Sequence, residues 1–207
     1  MTTSVLYFHG FASSPASAKI AALRPLIEPR GIVLETPDLN IPSFAKLDFD
    51  AIVEEGIRLA RAKKTCALVG SSLGALVALA VAKDVALPMV LIAPALGVAR
   101  RWSERIPDTD PVTVYNHALG ADASIHKRFF EQMAKLDVDD APPPSRVIAL
   151  MGGKDETVPF EIVEETWQKW EQAGLAPGSK LIVFPEGDHG LVTEVAAIAD
   201  AIAAVAR

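Results

Sequence analysis

The residues with the clearest chemical potential run from Gly70 to Gly74, where the sequence Gly-Ser-Ser-Leu-Gly fits the pattern G-x-S-x-G. They lie between an apolar run typical of a strand and one typical of a helix, so the chain must turn sharply there. A serine in the middle of that turn is held at the carboxyl end of its strand, beside a helix N-terminus that favours developing negative charge. We predict that Ser72 is a nucleophile. The alternative is a plain Gly/Ser turn.

A serine hydroxyl becomes nucleophilic only beside a base, and the base needs an acid to orient it. With a G-x-S-x-G elbow, these partners follow in the chain order serine, acid, histidine. Among the four histidines, only His189 follows the fifth predicted strand, and it stands in the Gly-Asp-His-Gly loop after the sixth. Asp155 follows a glycine turn after the fifth strand and is the predicted acid. Glu156 and Asp188 are alternatives, which we expect to face solvent or to hold their loops.

A tetrahedral intermediate at Ser72 would need two hydrogen-bond donors for its oxyanion. One predicted donor is the backbone N–H of Leu73, directly after the nucleophile. The other is the N–H of Phe11, in the loop after the first strand, where Gly10 permits the bend that aims it. His9 is expected to hold this loop by hydrogen bonding, or else to be an ordinary structural histidine.

Strand and helix patterns that could position these residues alternate along the chain. Six apolar, strand-like runs fall at residues 4–8, 32–35, 65–69, 88–93, 146–151 and 180–184. Helical spacing marks residues 47–64, 73–83, 160–173 and 191–206, and a further helix is predicted to follow the first strand, with Ser14 as its cap and Pro15 in its first turn. Continuous apolar strands between helices are typical of an α/β, doubly wound parallel sheet.

One segment breaks this alternation. About 45 residues, 97–142, separate the fourth and fifth strands, where a crossover needs only a short connection and one helix. Residues 124–136 have helical spacing of apolar side chains, and three prolines stiffen the return to the sheet. We predict a single domain over residues 1–207 with a small lid insertion at about 97–142.

Composition excludes several classes of function. The 20 basic and 26 acidic residues give a net charge of −6, without the basic stripe that nucleic acid would require. The apolar start is too short for a signal peptide, and glycines and serines interrupt the most apolar stretch, residues 66–82, which a membrane span would need unbroken. We expect a cytoplasmic protein without a nucleic-acid or membrane partner.

Cofactor and metal sites also lack support in the sequence. Cys66 is the single cysteine, so an internal disulfide and a cysteine-based zinc cluster are excluded. His117 and His126 have no ligand-like partners and are expected on the lid surface. Neither a dinucleotide G-x-G-x-x-G nor a phosphate-binding loop is present. We therefore expect no cofactor and no metal.

Taken together, these motifs resemble the α/β-hydrolase superfamily over nearly the whole chain. The start, Y-F-H-G-F-A-S-S-P at residues 7–15, is similar to the Y-L-H-G-F-x-S-S-P opening of the small bacterial YqiA-like esterases. The resemblance implies a minimal α/β-hydrolase fold, without the superfamily's usual first two strands, and a serine hydrolase with the triad Ser72, Asp155 and His189. It also implies Phe11 and Leu73 as oxyanion donors.

The insertion departs from any pattern we can match. It contains the aromatic residues Trp102, Tyr115, Phe129 and Phe130, and insertions of this kind shape the acyl pocket. The sequence predicts a cofactor-free esterase for small acyl esters. A thioesterase, amidase or acyltransferase with the same triad stays open, as do a non-catalytic small-molecule binding protein and a module that binds a partner through the lid aromatics. The oligomeric state is not predicted.

Overall fold

A parallel sheet lies between two layers of helices. The computed structural model describes residues 3–103 and 108–206. Within them the sheet has six strands, which are β1 (Thr3–Phe8), β2 (Ile32–Glu35), β3 (Ala67–Ser71), β4 (Met89–Ile92), β7 (Val147–Gly152) and β8 (Lys180–Phe184). Residues of β3, β4 and β7 are buried along their whole length, because helices cover both faces of the sheet.

The strand order determines where a site can form. It runs β2-β1-β3-β4-β7-β8, and all neighbouring strands are parallel. The chain moves outward from β1 to β2 and then returns to β3, so the order reverses between β1 and β3. Ligands of open parallel sheets bind at the carboxyl ends of strands beside such a reversal. The predicted six-stranded, doubly wound sheet is confirmed.

Five helices form the two outer layers. One face of the sheet packs against α2 (Phe49–Ala62), α3 (Leu73–Val85) and α6 (Phe160–Gln172), and the other against α1 (Ala18–Ile27) and α7 (Val195–Val205). Helix α3 is buried from Leu73 to Ala82, which makes it the central helix of the first layer. No helix in the described part of the chain is long and apolar enough to cross a membrane.

Two predicted helix starts are wrong. Helix α1 begins at Ala18, because Ser14 instead closes a turn in which its hydroxyl accepts a hydrogen bond from Ala16 N–H and its carbonyl one from Ser17 N–H. Helix α7 begins at Val195 rather than at residue 191. Leu191 has a left-handed φ of 46°, and its N–H donates to Asp188 Oδ1, so this residue ends a loop.

Between β4 and β7, the described residues form the short helices α4 (Val98–Ser103) and α5 (Arg128–Met133) and an antiparallel hairpin of β5 (Val112–Asn116) and β6 (Ala121–Ile125). Residues 104–107 of the predicted lid lie outside the described residues. The prediction of one helix over residues 124–136 is wrong, since Ser124 and Ile125 belong to β6. Ile125 nevertheless joins the same apolar cluster as α5, which explains the helical spacing.

Hydrogen bonds tie this segment to the body of the protein. Gln132 accepts from Phe49 N–H and donates to Asp48 Oδ1, both at 3.1 Å, at the N-terminus of α2. Near the end of the segment, the carbonyl of Asp139 accepts the indole N–H of Trp170 in α6 at 2.9 Å. The hairpin turn contacts the loop after β1, where Ala118 N–H donates to Ala12 O at 3.2 Å. The segment is therefore anchored at several points.

Candidate active site

Ser72 occupies a sharp turn between β3 and α3. Its backbone has φ 54° and ψ −117°, a conformation that costs free energy for a residue with a Cβ. The Ser72 N–H donates to Ile92 O of β4 at 2.9 Å, and the Ser72 carbonyl accepts from Ala75 N–H at 3.0 Å. The neighbouring strand and the first turn of α3 thus hold the hydroxyl above the carboxyl edge of the sheet.

The two glycines that flank the turn are required by close backbone contacts. A Cβ on Gly70 would lie 2.2 Å from the carbonyl oxygen of Gly74. A Cβ on Gly74 would lie 2.1 Å from the carbonyl oxygen of Phe8, at the end of β1. Only glycine at both positions lets α3 start this close to the sheet.

His189 and Asp155 approach Ser72 from the loops after β8 and β7. The imidazole Nδ1 lies 2.7 Å from Asp155 Oδ2, and its Nε2 lies 3.0 Å from Ser72 Oγ. When Nδ1 donates its proton to the carboxylate, Nε2 is left as an acceptor for the serine hydroxyl. The three predicted residues therefore form one continuous hydrogen-bonded chain.

The Asp155 carboxylate is buried and fully engaged. Its Oδ1 accepts the backbone N–H groups of Thr157 and Val158, both at 2.8 Å, which leaves Oδ2 for the histidine. Burial by itself would raise the pKa of this carboxyl, but the hydrogen bonds from His189, Val158 and Thr157 outweigh it and lower the pKa below its usual range. Asp155 is thus held as an anion facing the imidazole.

The alternative acids lie elsewhere. Glu156 is exposed to solvent, directly after Asp155. Asp188 is also exposed, and its Oδ1 accepts the N–H of Leu191 at 2.9 Å, which closes the loop that carries His189. Neither carboxylate hydrogen-bonds the imidazole among the described contacts, in line with the expectation that both face solvent or hold their loops.

Two backbone N–H groups at the cavity are candidates for binding an oxyanion. Phe11 and Leu73 both line the cavity at Ser72. Within residues 3–103 and 108–206, neither N–H donates to a protein acceptor. Unpaired donors beside a cavity cost free energy unless water or a ligand accepts from them. These are the donors that the sequence predicts for an oxyanion.

The loop after β1 is held by His9, which is 4% exposed. Its Nδ1 lies 2.9 Å from Gly10 O, and its Nε2 accepts the N–H of Leu39 at 3.1 Å. Burial lowers the pKa of His9, against smaller opposing effects of Gly10 O and Asp38, which fits a neutral ring. The left-handed residue of the loop is Ala12, with φ 53°, and not Gly10. Gly10 instead lets the loop pass close to the elbow, since a Cβ there would touch Ser72 Cβ at 3.4 Å.

A cavity of about 420 Å³ opens over Ser72 and His189. One side, which we call the aromatic wall, presents Phe11 and Trp102, with Phe44, Phe129 and Phe130 packed behind them. The other side, the polar wall, is formed by Tyr7, Ser13, Ser17, Lys19 and Ser71. Tyr7 packs on the face of the sheet that α1 and α7 cover, whereas Phe11 and Trp102 pack on the face of α2, α3 and α6. The cavity therefore offers an apolar and a polar surface on either side of one serine.

The polar wall escapes sequence reasoning. Lys19 lies in the first turn of α1, where a lysine has the appearance of an ordinary surface residue. Ser71 is overlooked because its neighbour Ser72 explains the motif. One available signal is that α1 directly follows the loop after β1, so its first turn must lie at the carboxyl edge of the sheet. His117, predicted on the lid surface, is exposed and belongs to the cavity lining.

In the described part of the chain, no group of three His, Cys, Asp or Glu side chains could hold a metal ion. On the surface of the insertion, His126 Nδ1 lies 3.3 Å from Asp110 Oδ1. Among the described residues, no third His, Cys, Asp or Glu completes a metal site with this pair. The expectation of a site without metal or cofactor stays a prediction.

Comparison with known protein families identifies the family of this chain. Residues 4–204 match the model of an uncharacterised protein family, UPF0227. The chain belongs to this family. The resemblance to YqiA-like α/β hydrolases predicted from the motifs is thereby confirmed. No curated protein matches the chain.

Solved structures share the fold of this UPF0227 member at low sequence identity. Est1E from Butyrivibrio proteoclasticus, solved with bound ferulic acid, is 16% identical, with a TM-score of 0.77 over 97% of this chain and 90% of that one. Mouse alpha/beta hydrolase domain-containing protein 10 is 18% identical, with a TM-score of 0.75 over 98% and 88%. A monoacylglycerol lipase from Paleococcus ferrophilus is 14% identical, with a TM-score of 0.70 over 98% and 96%. The fold is that of the α/β hydrolases.

Proposed function

We propose that this protein is a serine hydrolase that cleaves small acyl esters through an acyl-enzyme on Ser72. His189 acts as the base and Asp155 as the acid that orients it. The backbone N–H groups of Phe11 and Leu73 bind the oxyanion, and His9 and Gly10 support the loop that carries the first of them. The substrate is a small-molecule acyl ester.

The observation that carries the proposal is the hydrogen-bonded chain from Asp155 through His189 to Ser72, with distances of 2.7 and 3.0 Å. Three residues from three loops reach this arrangement although 117 positions separate Ser72 from His189. A plain Gly/Ser turn would not need a buried carboxylate and an imidazole beside it.

The reaction follows from these positions. Ser72 Oγ attacks the ester carbonyl carbon while His189 Nε2 takes the hydroxyl proton. The carbonyl oxygen becomes the oxyanion and accepts from the two N–H groups. When the carbon–oxygen bond to the alcohol breaks, His189 returns the proton to the leaving oxygen. Water then attacks the acyl-serine by the same route, and the acid and free serine are released.

The aromatic wall is assigned to the acyl group. Trp102 and Phe11 face the cavity beside Leu73, and Val98 and Val158 complete an apolar lining. A volume of about 420 Å³ is at the small end of the range for ligand pockets. Est1E, with its ferulic acid, and the lipase of similar fold support an ester substrate.

The insertion is proposed to act as a lid within a single domain. Residues 97–142 supply Trp102 and the aromatic side chains behind it, so this segment closes one side of the cavity. Its several hydrogen bonds to α2 and to the loop after β1 favour a fixed cover. The cytoplasmic location stays a prediction.

Labelling with a fluorophosphonate probe tests the proposal. The probe phosphonylates an activated serine, and mass spectrometry locates the adduct. We expect the adduct on Ser72 in the wild type and none in Ser72→Ala, while Ser43→Ala, at an exposed serine outside the cavity lining, serves as the control and still labels. A folded wild-type protein that does not react would reject the serine hydrolase and favour a non-catalytic binding protein.

A further inference from the structure

The polar wall contains a cation that the proposed mechanism does not use. Lys19 extends from the first turn of α1 into the cavity lining, and its Nζ donates to Ser71 Oγ at 3.0 Å. Ser71 itself is buried and precedes the nucleophile in the chain. An ammonium group has three N–H donors, so this contact leaves two for a further partner.

In the part of the chain that the structure describes, no carboxylate lies at contact distance from this ammonium. Lys19 forms no ion pair within residues 3–103 and 108–206, although Asp188 and Asp155 attract it from a longer distance. The other side chains of the polar wall carry hydroxyls, and burial raises the pKa of the Tyr7 phenol, so that this group stays neutral. Arg101, a second cation of the lining, donates to Thr157 O at 2.5 Å. A charge taken from water without a partner is costly, and such groups in clefts often have functional roles.

The position of Lys19 relative to His189 indicates which part of a substrate it would meet. His189 must give its proton to the leaving oxygen, so the alcohol part of the ester lies beside the imidazole. Lys19 lies on α1, which packs against α7, the helix that follows the His189 loop, whereas Phe11 and Trp102 pack on the other face of the sheet. The ammonium therefore lies on the imidazole side, where Asp188 and Asp155 act on its charge. The acyl group, in contrast, is assigned to the aromatic wall.

We infer that the polar wall binds a carboxylate on the alcohol part of the substrate ester, with Lys19 as the charged donor and the hydroxyls of Ser13 and Ser17 as further donors. This inference rests on the proposed function and adds the substrate class. Lys19 is the cation of the polar wall, and with Asp188 and Asp155 nearby its charge matches one negative charge and disfavours a doubly charged phosphate. Lys19 is thus a specificity-determining residue.

The charge of Lys19 gives the inference a pH signature. Burial lowers the pKa of this lysine to about 8, while Asp188 and Asp155 act in the opposite direction. The other titratable or charged groups of the cavity lining are Tyr7, His9, Arg101, His117 and His189, and Asp155 and Asp188 act on the charge of Lys19 from nearby. The ammonium form is present below its pKa and is lost as the pH rises through it. Preference for an anionic ester should therefore decline above about pH 8.

The test compares two esters of equal size, the butyrates of 3-hydroxybenzoate and of 3-hydroxybenzamide. They differ by one negative charge on the alcohol part. The readout is the ratio of their kcat/KM values, which cancels changes that affect both esters. We expect the wild-type ratio to favour the anionic ester at pH 7 and to fall between pH 7 and pH 9.5. In Lys19→Met the ratio at pH 7 should drop about tenfold or more.

Two further variants complete the design. Lys19→Arg keeps a charge at every pH used, so its ratio should no longer fall above pH 8. Lys180→Met removes an exposed lysine on β8 and should keep the wild-type ratio and pH profile. A pH-independent wild-type ratio, or one unchanged in Lys19→Met, would overturn the inference while leaving the serine hydrolase intact. If the wild type cleaves neither ester, the proposed function fails and the inference with it.

Discussion

The two walls of the cavity differ in what holds them in place. The aromatic wall continues the hydrophobic core, since Phe11 stacks on the buried ring of Phe129 at 5.5 Å and meets Trp102 edge-on at 6.4 Å. In the polar wall, a lysine without an ion partner among the described residues rests on one serine hydroxyl at 3.0 Å. Burial of the aromatic rings in the first wall stabilises the fold, whereas desolvation of the Lys19 charge in the second destabilises it.

This contrast separates stability from specificity. Mutations in the aromatic wall should weaken the fold together with the activity, because the ring that faces the cavity also packs against the core. Mutations in the polar wall should change the choice of substrate with little effect on folding. Natural sequences retain costly groups mainly where activity needs them.

The largest effect, on kcat, is expected for the proposed triad, which lies next to both walls. Asp155→Asn keeps the acceptor for Thr157 and Val158 N–H but presents an amide to His189, so the imidazole loses its orienting partner. We expect kcat to fall about 10⁴-fold for neutral and anionic esters alike. The exposed neighbour variant, Glu156→Gln, should keep wild-type kcat. Comparable losses in the two variants would contradict the role of Asp155.

The next effect concerns the stability of the aromatic wall. Phe129 is fully buried, and Phe129→Ala leaves a cavity behind Phe11. Guanidinium unfolding should show a loss of about 3–5 kcal/mol in the free energy of unfolding. A loss below about 1 kcal/mol would mean that the wall is not part of the core.

A smaller effect is expected on the choice of acyl chain. Trp102 lines the cavity, so Trp102→Ala removes apolar surface that longer acyl chains would cover. Burial of the two additional methylene groups of a butyryl chain contributes about 1.6 kcal/mol. The wild-type kcat/KM for 4-nitrophenyl butyrate should therefore be about tenfold higher than that for the acetate. The variant should lose most of this preference. Tyr115→Ala, on the exposed hairpin outside the lining, should retain it. An unchanged preference in Trp102→Ala would place the acyl group elsewhere.

The smallest effect should come from the polar wall. Lys19→Met removes a desolvated charge and replaces it with an apolar chain of similar length. We expect the free energy of unfolding to stay within about 1 kcal/mol of the wild-type value, or to rise. Thermal unfolding of Lys19→Met, compared with that of Phe129→Ala and the wild type, measures this difference in stability. Strong destabilisation by Lys19→Met would show that both walls are structural.

Much of the fold can be predicted from sequence, because buried parallel strands are continuous apolar runs. Residues 32–35 and 180–184 are predicted as strands, and β2 and β8 have those bounds. The helix starts are less certain, since Ser14 and Leu191 make local hydrogen bonds that sequence spacing does not reveal. The hairpin β5–β6 is missed because its last apolar residue, Ile125, continues the spacing of α5.

Some residues of the candidate site can likewise be predicted from sequence, and others cannot. Ser72, Asp155 and His189 can be found from sequence, because a glycine-flanked turn and the order of loops determine where they meet. Lys19 cannot, since its surroundings depend on how α1 packs against β1 and β3. The unpaired N–H groups of Phe11 and Leu73 follow from the elbow and the loop after β1, but the aromatic packing that positions Phe11 comes from the insertion.

The central claim is that Ser72 forms a covalent intermediate, and a slowly hydrolysed carbamate tests it most directly. The enzyme is incubated with 4-nitrophenyl dimethylcarbamate, and peptide mass spectrometry is combined with the remaining activity on 4-nitrophenyl butyrate. We predict a dimethylcarbamoyl group on Ser72, with activity lost in proportion to its occupancy. Activity lost through modification of another residue such as Cys66, or retained while Ser72 is fully carbamoylated, would contradict it.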